Sequence, residues 1–212
     1  MLELSPLDLL IVNFDQGLRT VFGQPPTTMR PHPSESVTDV ELTASEKRLS
    51  SRLMRVNHAG EVAAQALYQG QALTARTEEV YANLRQSAQE ENDHLVWCKE
   101  RIQELGGHVS LLNPLWYTGS LTIGTLAGIA GDKWSLGFVA ETEHQVVAHL
   151  ERYIHWLPVR DQKSRAILQQ MQIDEERHAT VALETGGVAL PPPVRWLMKQ
   201  TANVMIRVAF WL

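Results

Sequence analysis

Apolar side chains recur along most of this chain at intervals of three and four residues, the period of a helix with one buried face. Strand-like alternation is missing. Leu7, Leu10, Phe14, Leu18 and Phe22 form one such stripe after Ser5-Pro6, an N-cap followed by proline at the first helical position. Residues 24–38 break the pattern with Pro25, Pro26, Pro31 and Pro33 and read as a linker. Thr43-Ala-Ser-Glu46 is a capping box, and from there to Gly186 helix formers dominate. Breaks at 74–77, 106–114, 158–161 and 186–193 separate four long helices. Beyond the proline triplet, Val194, Leu197, Met198, Val204, Met205, Val208, Trp211 and Leu212 form a fifth amphipathic helix. The pattern predicts an all-α fold with an N-terminal helix and linker over 1–44 and a helical domain over 45–212.

Composition narrows the function. Net charge is −5, the wrong sign for a chain that neutralises phosphates, so nucleic acid is not an expected partner. A single cysteine, Cys98, rules out an intrachain disulfide and any four-cysteine metal site within one chain. Met1-Leu2-Glu3 lacks a basic start and no small-residue cleavage site follows, so no secretory signal is read. The expected location is the cytoplasmic face of the cell membrane.

Three Glu-x-x-His pairs occur, Glu91/His94, Glu141/His144 and Glu175/His178, where eight histidines and 17 glutamates predict roughly 0.6 by chance. On a helix such a pair shares one face and can serve one metal. Glu61 lies 30 residues before Glu91, with the 74–77 break midway; Glu143 lies 32 before Glu175, with the 158–161 break midway. Glu143 follows Glu61 by 82 residues, and Glu175 and His178 follow Glu91 and His94 by 84, so two helical hairpins repeat. One glutamate from each of two helices and Glu-x-x-His from each of two others is the ligand set of ferritin-like dinuclear bundles. The predicted metal ligands are Glu61, Glu91, His94, Glu143, Glu175 and His178, with Glu91 and Glu175 bridging. Hard carboxylates and imidazoles without thiolate suit two iron ions. Glu141, about 200° of helical turn from Glu143, cannot share its face, and the repeat offset favours Glu143. Asp174 and Glu90, each preceding a bridging glutamate, are expected to orient the histidine of the opposite hairpin. His58 reads as a helix-start histidine in a polar cluster, and Cys98 as packing.

With those residues in place, LMRVNHAGEVAAQALYQGQ (53–71), EENDHL (90–95), NPLWY (113–117), ETEHQVVAHL (141–150) and DEERH (174–178) together resemble the demethoxyubiquinone hydroxylase family. The likeness runs from about Ser45 to the C-terminus. It implies a ferritin-like bundle, the same six ligands with Glu143 chosen over Glu141, and a di-iron monooxygenase of ubiquinone biosynthesis. It also implies O2 as co-substrate, a prenylated quinol as substrate, and a role for His149 near the metal site in handling the quinone or the electron donor. No dinucleotide fingerprint follows a strand, and Gly124-x-x-x-Gly128 fits close helix packing better. Reductant is expected from another protein, from NADH, or from the quinol itself. Expected associations are a membrane surface, other proteins of ubiquinone biosynthesis and a second copy of the chain. Rival readings are a ferritin- or rubrerythrin-like iron oxidase, which shares fold and ligands, and a metal-free helical scaffold.

From Val109 to Gly131 no charged residue or histidine occurs, a length sufficient to cross a bilayer. Asn113-Pro114, the glycines Gly119, Gly124 and Gly128, and the hydroxyl residues Thr118, Ser120, Thr122 and Thr125 oppose a span. A crossing would also put Glu91 and Glu143 on opposite sides, so this crossover is expected to lie along a membrane surface with Trp116 and Tyr117 at the interface. The competing expectation is a connector packed on protein.

Overall fold

The structure, a computed structural model, describes residues 5–38 and 40–212. Met1, Leu2, Glu3 and the side chain of Leu10 lie outside the described residues. The described residues form seven helices in order: α1 (Pro6–Phe22), α2 (Ala44–Ala72), α3 (Glu78–Glu104), α4 (Asn113–Ile129), α5 (Asp132–Trp156), α6 (Gln162–Glu184) and α7 (Pro192–Ala209). Ser5 and Thr43 cap α1 and α2 as the sequence predicts. Thr43 accepts from the Glu46 amide while Glu46 reaches back to the Thr43 amide; Thr77 and Asp161 cap α3 and α6.

Hairpins α2/α3 and α5/α6 pack into a four-helix bundle. Two apolar clusters fill its interior at different heights. Leu53, Met54, Ile102, Leu150, Ile167, Leu168 and Met171, all fully buried, occupy one end. Tyr68, Val80, Leu84, Leu136 and Val139 occupy the other. Each of these burials contributes about 1.5–3 kcal/mol. On every helix of the bundle the predicted ligands fall between the two clusters.

The stretch between 114 and 158, expected as one long helix, is two. Gly131 adopts φ +108°, a conformation suited to glycine, and breaks α4 from α5. Asp132 then accepts from the Arg76 amide at 3.0 Å, tying the start of α5 to the first hairpin's turn. The uncharged crossover becomes α4, which lies along α2 with backbones almost touching: a Cβ added at Gly70 would sit 2.5 Å from the Leu121 carbonyl. Its other face leaves Leu115, Leu126 and Ile129 exposed. Among the described residues no helix is long and apolar enough to cross a membrane.

The proline-rich segment 24–38 contains no helix, yet it does not run free as a linker. The Pro26 carbonyl accepts from Asn92, and the Thr28 amide donates to Asp93 at 2.8 Å. It is a strap laid across α3.

Candidate metal centre

Midway along the bundle, α2 contributes Glu61, α3 Glu91 and His94, α5 Glu143, and α6 Glu175 and His178. All six are buried, none more than 3% exposed. The Nδ1 of His94 lies 2.8 Å from Glu91 Oε2, 3.2 Å from Glu175 Oε1 and 3.8 Å from Glu61 Oε2. The Nδ1 of His178 lies 3.0 Å from Glu91 Oε1 and 3.2 Å from Glu175 Oε2. The cluster therefore has two halves that share Glu91 and Glu175. Glu143, on the His178 side, accepts from the Tyr68 hydroxyl at 2.7 Å.

The outward nitrogens are also partnered across the hairpins. His94 Nε2 meets Asp174 Oδ2 at 2.9 Å, and His178 Nε2 meets Glu90 Oε2 at 3.0 Å. Behind each carboxylate stands a guanidinium. Arg177 donates to Glu90, and Arg30 of the strap donates to Asp174 at 2.9 Å. These contacts hold Nε2 of both rings outward and turn Nδ1 to the interior.

Electrostatics match a site built for cations. Burial, reinforced by neighbouring carboxylates, pushes Glu61 and Glu143 well above the ordinary glutamate range. Burial acts the same way on Glu91, but the two histidines outweigh it and hold that carboxyl well below. Burial disfavours the imidazolium forms, yet the surrounding carboxylates raise His94 well above its usual value and His178 to about 12. Glu91 Oε1 is buried and has only the His178 Nδ1, 3.0 Å away, to face. Ligand atoms of Glu61, Glu91, His94 and Glu175 lie within 4.8 Å of one another, so one divalent cation can reach all four. Four carboxylates and two imidazoles, backed from outside, fit a pair of such ions.

The family model for ubiquinone biosynthesis protein COQ7 matches residues 48–209. The chain belongs to the COQ7 family. Its bundle is ferritin-like. Among similar COQ7-family proteins is the 3-demethoxyubiquinol 3-hydroxylase of Nitrosococcus oceani, 61% identical over 210 residues that cover 99% of this chain and 98% of that protein. The proteins of the same name from Nitrosospira multiformis and Legionella pneumophila are 56% and 54% identical, each covering at least 97% of both chains.

Other sequence-predicted positions sort differently in this COQ7-family fold. Glu141 is half-buried and accepts from Gln145 at 2.7 Å, while His144 is exposed, so that pair lies away from the cluster. His58 is not at a helix start: it sits inside α2, fully buried, with Nδ1 unpartnered and its basicity lowered to about 3 by burial. Cys98 is buried 3.7 Å from the Met171 sulfur and acts as packing. His149 stands apart from the six. It is six residues, about 240° of turn, from Glu143, and its ring packs against Tyr153, tilted by 44° with centroids 3.9 Å apart. There it lines a cavity of about 420 Å³ between α5 and α7, with Arg152, Trp156, Arg207 and Trp211. Sequence reasoning passed over Tyr68, although it lies seven residues after Glu61 on the same helical face. It also passed over Arg30 and Asp93.

Proposed function

We propose that this chain is a di-iron 3-demethoxyubiquinol 3-hydroxylase, the activity named for its relatives over nearly their whole length. The observation that carries this reading is the two-fold arrangement in which Glu91 and Glu175 each serve both His94 and His178. Glu91 and Glu175 would serve both ions, with Glu61 and His94 holding one and Glu143 and His178 the other. Iron held there would supply the electrons and open coordination positions that reduction of O2 requires. The chain's own residues do the rest. Apolar clusters on both sides exclude water, Asp174 and Glu90 fix the imidazoles, and Tyr68 orients the Glu143 carboxylate.

The quinol ring is assigned to the cavity beside His149, whose aromatic walls suit a flat ring. Burial holds that imidazole neutral, with its pKa lowered to about 4, and its Nδ1 has no partner. A neutral ring nitrogen there accepts a hydrogen bond from a quinol hydroxyl. Reducing equivalents come from another protein, from NADH or from the quinol itself.

Apolar side chains exposed on α1 (Leu7, Phe14, Phe22), α4 (Leu115, Leu126) and α7 (Trp196, Leu197) support peripheral binding to the cytoplasmic face of the cell membrane. All three helices touch α2. Purified chain that stays in the supernatant with sedimented liposomes would remove the membrane from this reading.

The test of activity is genetic and chemical. In a cell lacking this chain, ubiquinone falls and its demethoxy precursor accumulates; the wild-type chain reverses both, and Glu91→Ala does not. Restoration by Glu91→Ala would refute the site. Uptake of ferrous iron far beyond two per chain, without precursor conversion, would favour an iron-storage oxidase instead.

A further inference from the structure

The strap approaches the metal centre through one side chain. Arg30 Nη1 donates to Asp174 Oδ2 at 2.9 Å, and the same oxygen meets His94 Nε2 at 2.9 Å. Its Nε donates to Asp93 at 2.8 Å, and its guanidinium lies 5.0 Å from the centre of the Trp97 ring. The other half of the cluster has the same three-membered order: Arg177, Glu90, His178. There, however, the arginine comes from α6 itself. Asp174 also accepts on Oδ1 from Gln170 at 3.2 Å and from Arg177 at 3.3 Å, both of α6, but on Oδ2, the oxygen that meets His94, its donor is Arg30, 144 residues away in sequence.

The strap bears local costs at this point. Met29, between the anchors Thr28 and Arg30, has φ +62°, a conformation that disfavours a side chain. Arg30 Nη2 is buried without an acceptor. A segment needed only to cover α3 would have no cause to keep both. Arg30 and the whole strap also lie outside the 48–209 range that the family model matches.

The geometry points to Arg30 as a positioning residue of the metal centre: through Asp174 it fixes His94, so that the N-terminal strap completes one of the two metal sites. This rests on the metal-centre reading above. The physical argument is that a ligating imidazole is aimed, and its donor strength set, by the carboxylate behind it. A guanidinium fork spanning Asp93 and Asp174 fixes that carboxylate and withdraws charge from it.

The test uses the full chain, stripped of metal and titrated with Co²⁺ while its visible absorption bands are followed. Wild type takes up two ions. Arg30→Gln weakens one of the two by about 10–100-fold, changes the bands of that ion, and leaves the other within about twofold. Arg30→Lys recovers part of the loss, since an ammonium is a point charge that cannot span two carboxylates. Thr28→Val removes a strap hydroxyl that donates to Asp93 but leaves the guanidinium on Asp174, and it binds both ions like wild type. Equal weakening by Thr28→Val and Arg30→Gln would make the strap a mere brace and overturn the proposal, as would wild-type binding by Arg30→Gln. Glu91→Ala separates the two readings. If it loses both ions while Arg30→Gln binds normally, only the role of Arg30 falls; if it too keeps both ions, the metal-centre reading itself falls.

Discussion

Glu91 and Glu175 face each other across α3 and α6, and each offers one carboxylate oxygen to Nδ1 of His94 and the other to Nδ1 of His178. No other pair of acids in the cluster is shared in this way. Glu91→Ala is therefore expected to lower the affinity for both metal ions by more than about 100-fold. Glu61→Ala is expected to weaken chiefly the ion on the His94 side. Metal content per chain after gel filtration checks both.

Metal affinity should rise with pH. In the metal-free chain both imidazoles hold protons far above their ordinary range, His178 up to about 12, and burial keeps Glu61 and Glu143 partly protonated. Ligation needs neutral imidazole and ionised carboxylate, so binding expels about two to four protons near neutrality. Calorimetry in buffers of different ionisation enthalpy counts them. A pH-independent affinity between 6 and 8 would contradict the site.

The stability of the metal-free chain should run the opposite way. A histidine whose folded pKa is raised stabilises fully below its unfolded value of about 6.5 and loses that contribution as pH rises toward about 12. Glu90, lowered to about 2 chiefly by its hydrogen bond with His178, stabilises above its unfolded value and loses its contribution as pH falls toward 2. Melting of stripped chain should thus decline gradually on the alkaline side. Loading at about 1,000 times Kd should add about 4 kcal/mol, roughly 8–16 °C in Tm for a domain of this size.

Tyr68→Phe removes the single donor observed on Glu143 without creating a cavity. The expected result is a folded chain whose turnover falls about tenfold, the equivalent of roughly 1.4 kcal/mol, a typical cost of one hydrogen bond to a charged group. Steady-state hydroxylation with precursor quinol measures it.

Gly124→Ala would place a Cβ against the Leu67 backbone, where neither helix has a flexible side chain to yield. Destabilisation of about 1–3 kcal/mol is expected, with all six metal-binding groups intact. Thermal unfolding of the loaded chain reads the shift.

The bundle was legible because each of its cues is local. Thr43, Thr77 and Asp161 are caps within four residues of the helices they start, and Glu-x-x-His needs only one turn of helix to have meaning. Pairing Glu61 with Glu91 and Glu143 with Glu175 needed one further assumption, that the breaks are hairpin turns. Arg30 offered no such cue. It lies in a segment without periodicity, and its meaning arises only where the strap meets Asp174. The division of α4 from α5 was hidden because Gly131 differs from the neighbouring glycines only in its backbone angle. That His149 faces the cavity between α5 and α7 was not legible either, because likeness to a motif conveys order along the helix and not direction around it.

At Gly124 the outermost layer of the protein loses its cushion. The Leu67 carbonyl that faces it belongs to the peptide unit leading into Tyr68, whose hydroxyl holds Glu143. Whatever presses on α4 from outside is thus separated from a carboxylate of the buried centre by one peptide unit and one tyrosine ring. The fold has placed its most deeply buried charges within mechanical reach of its surface.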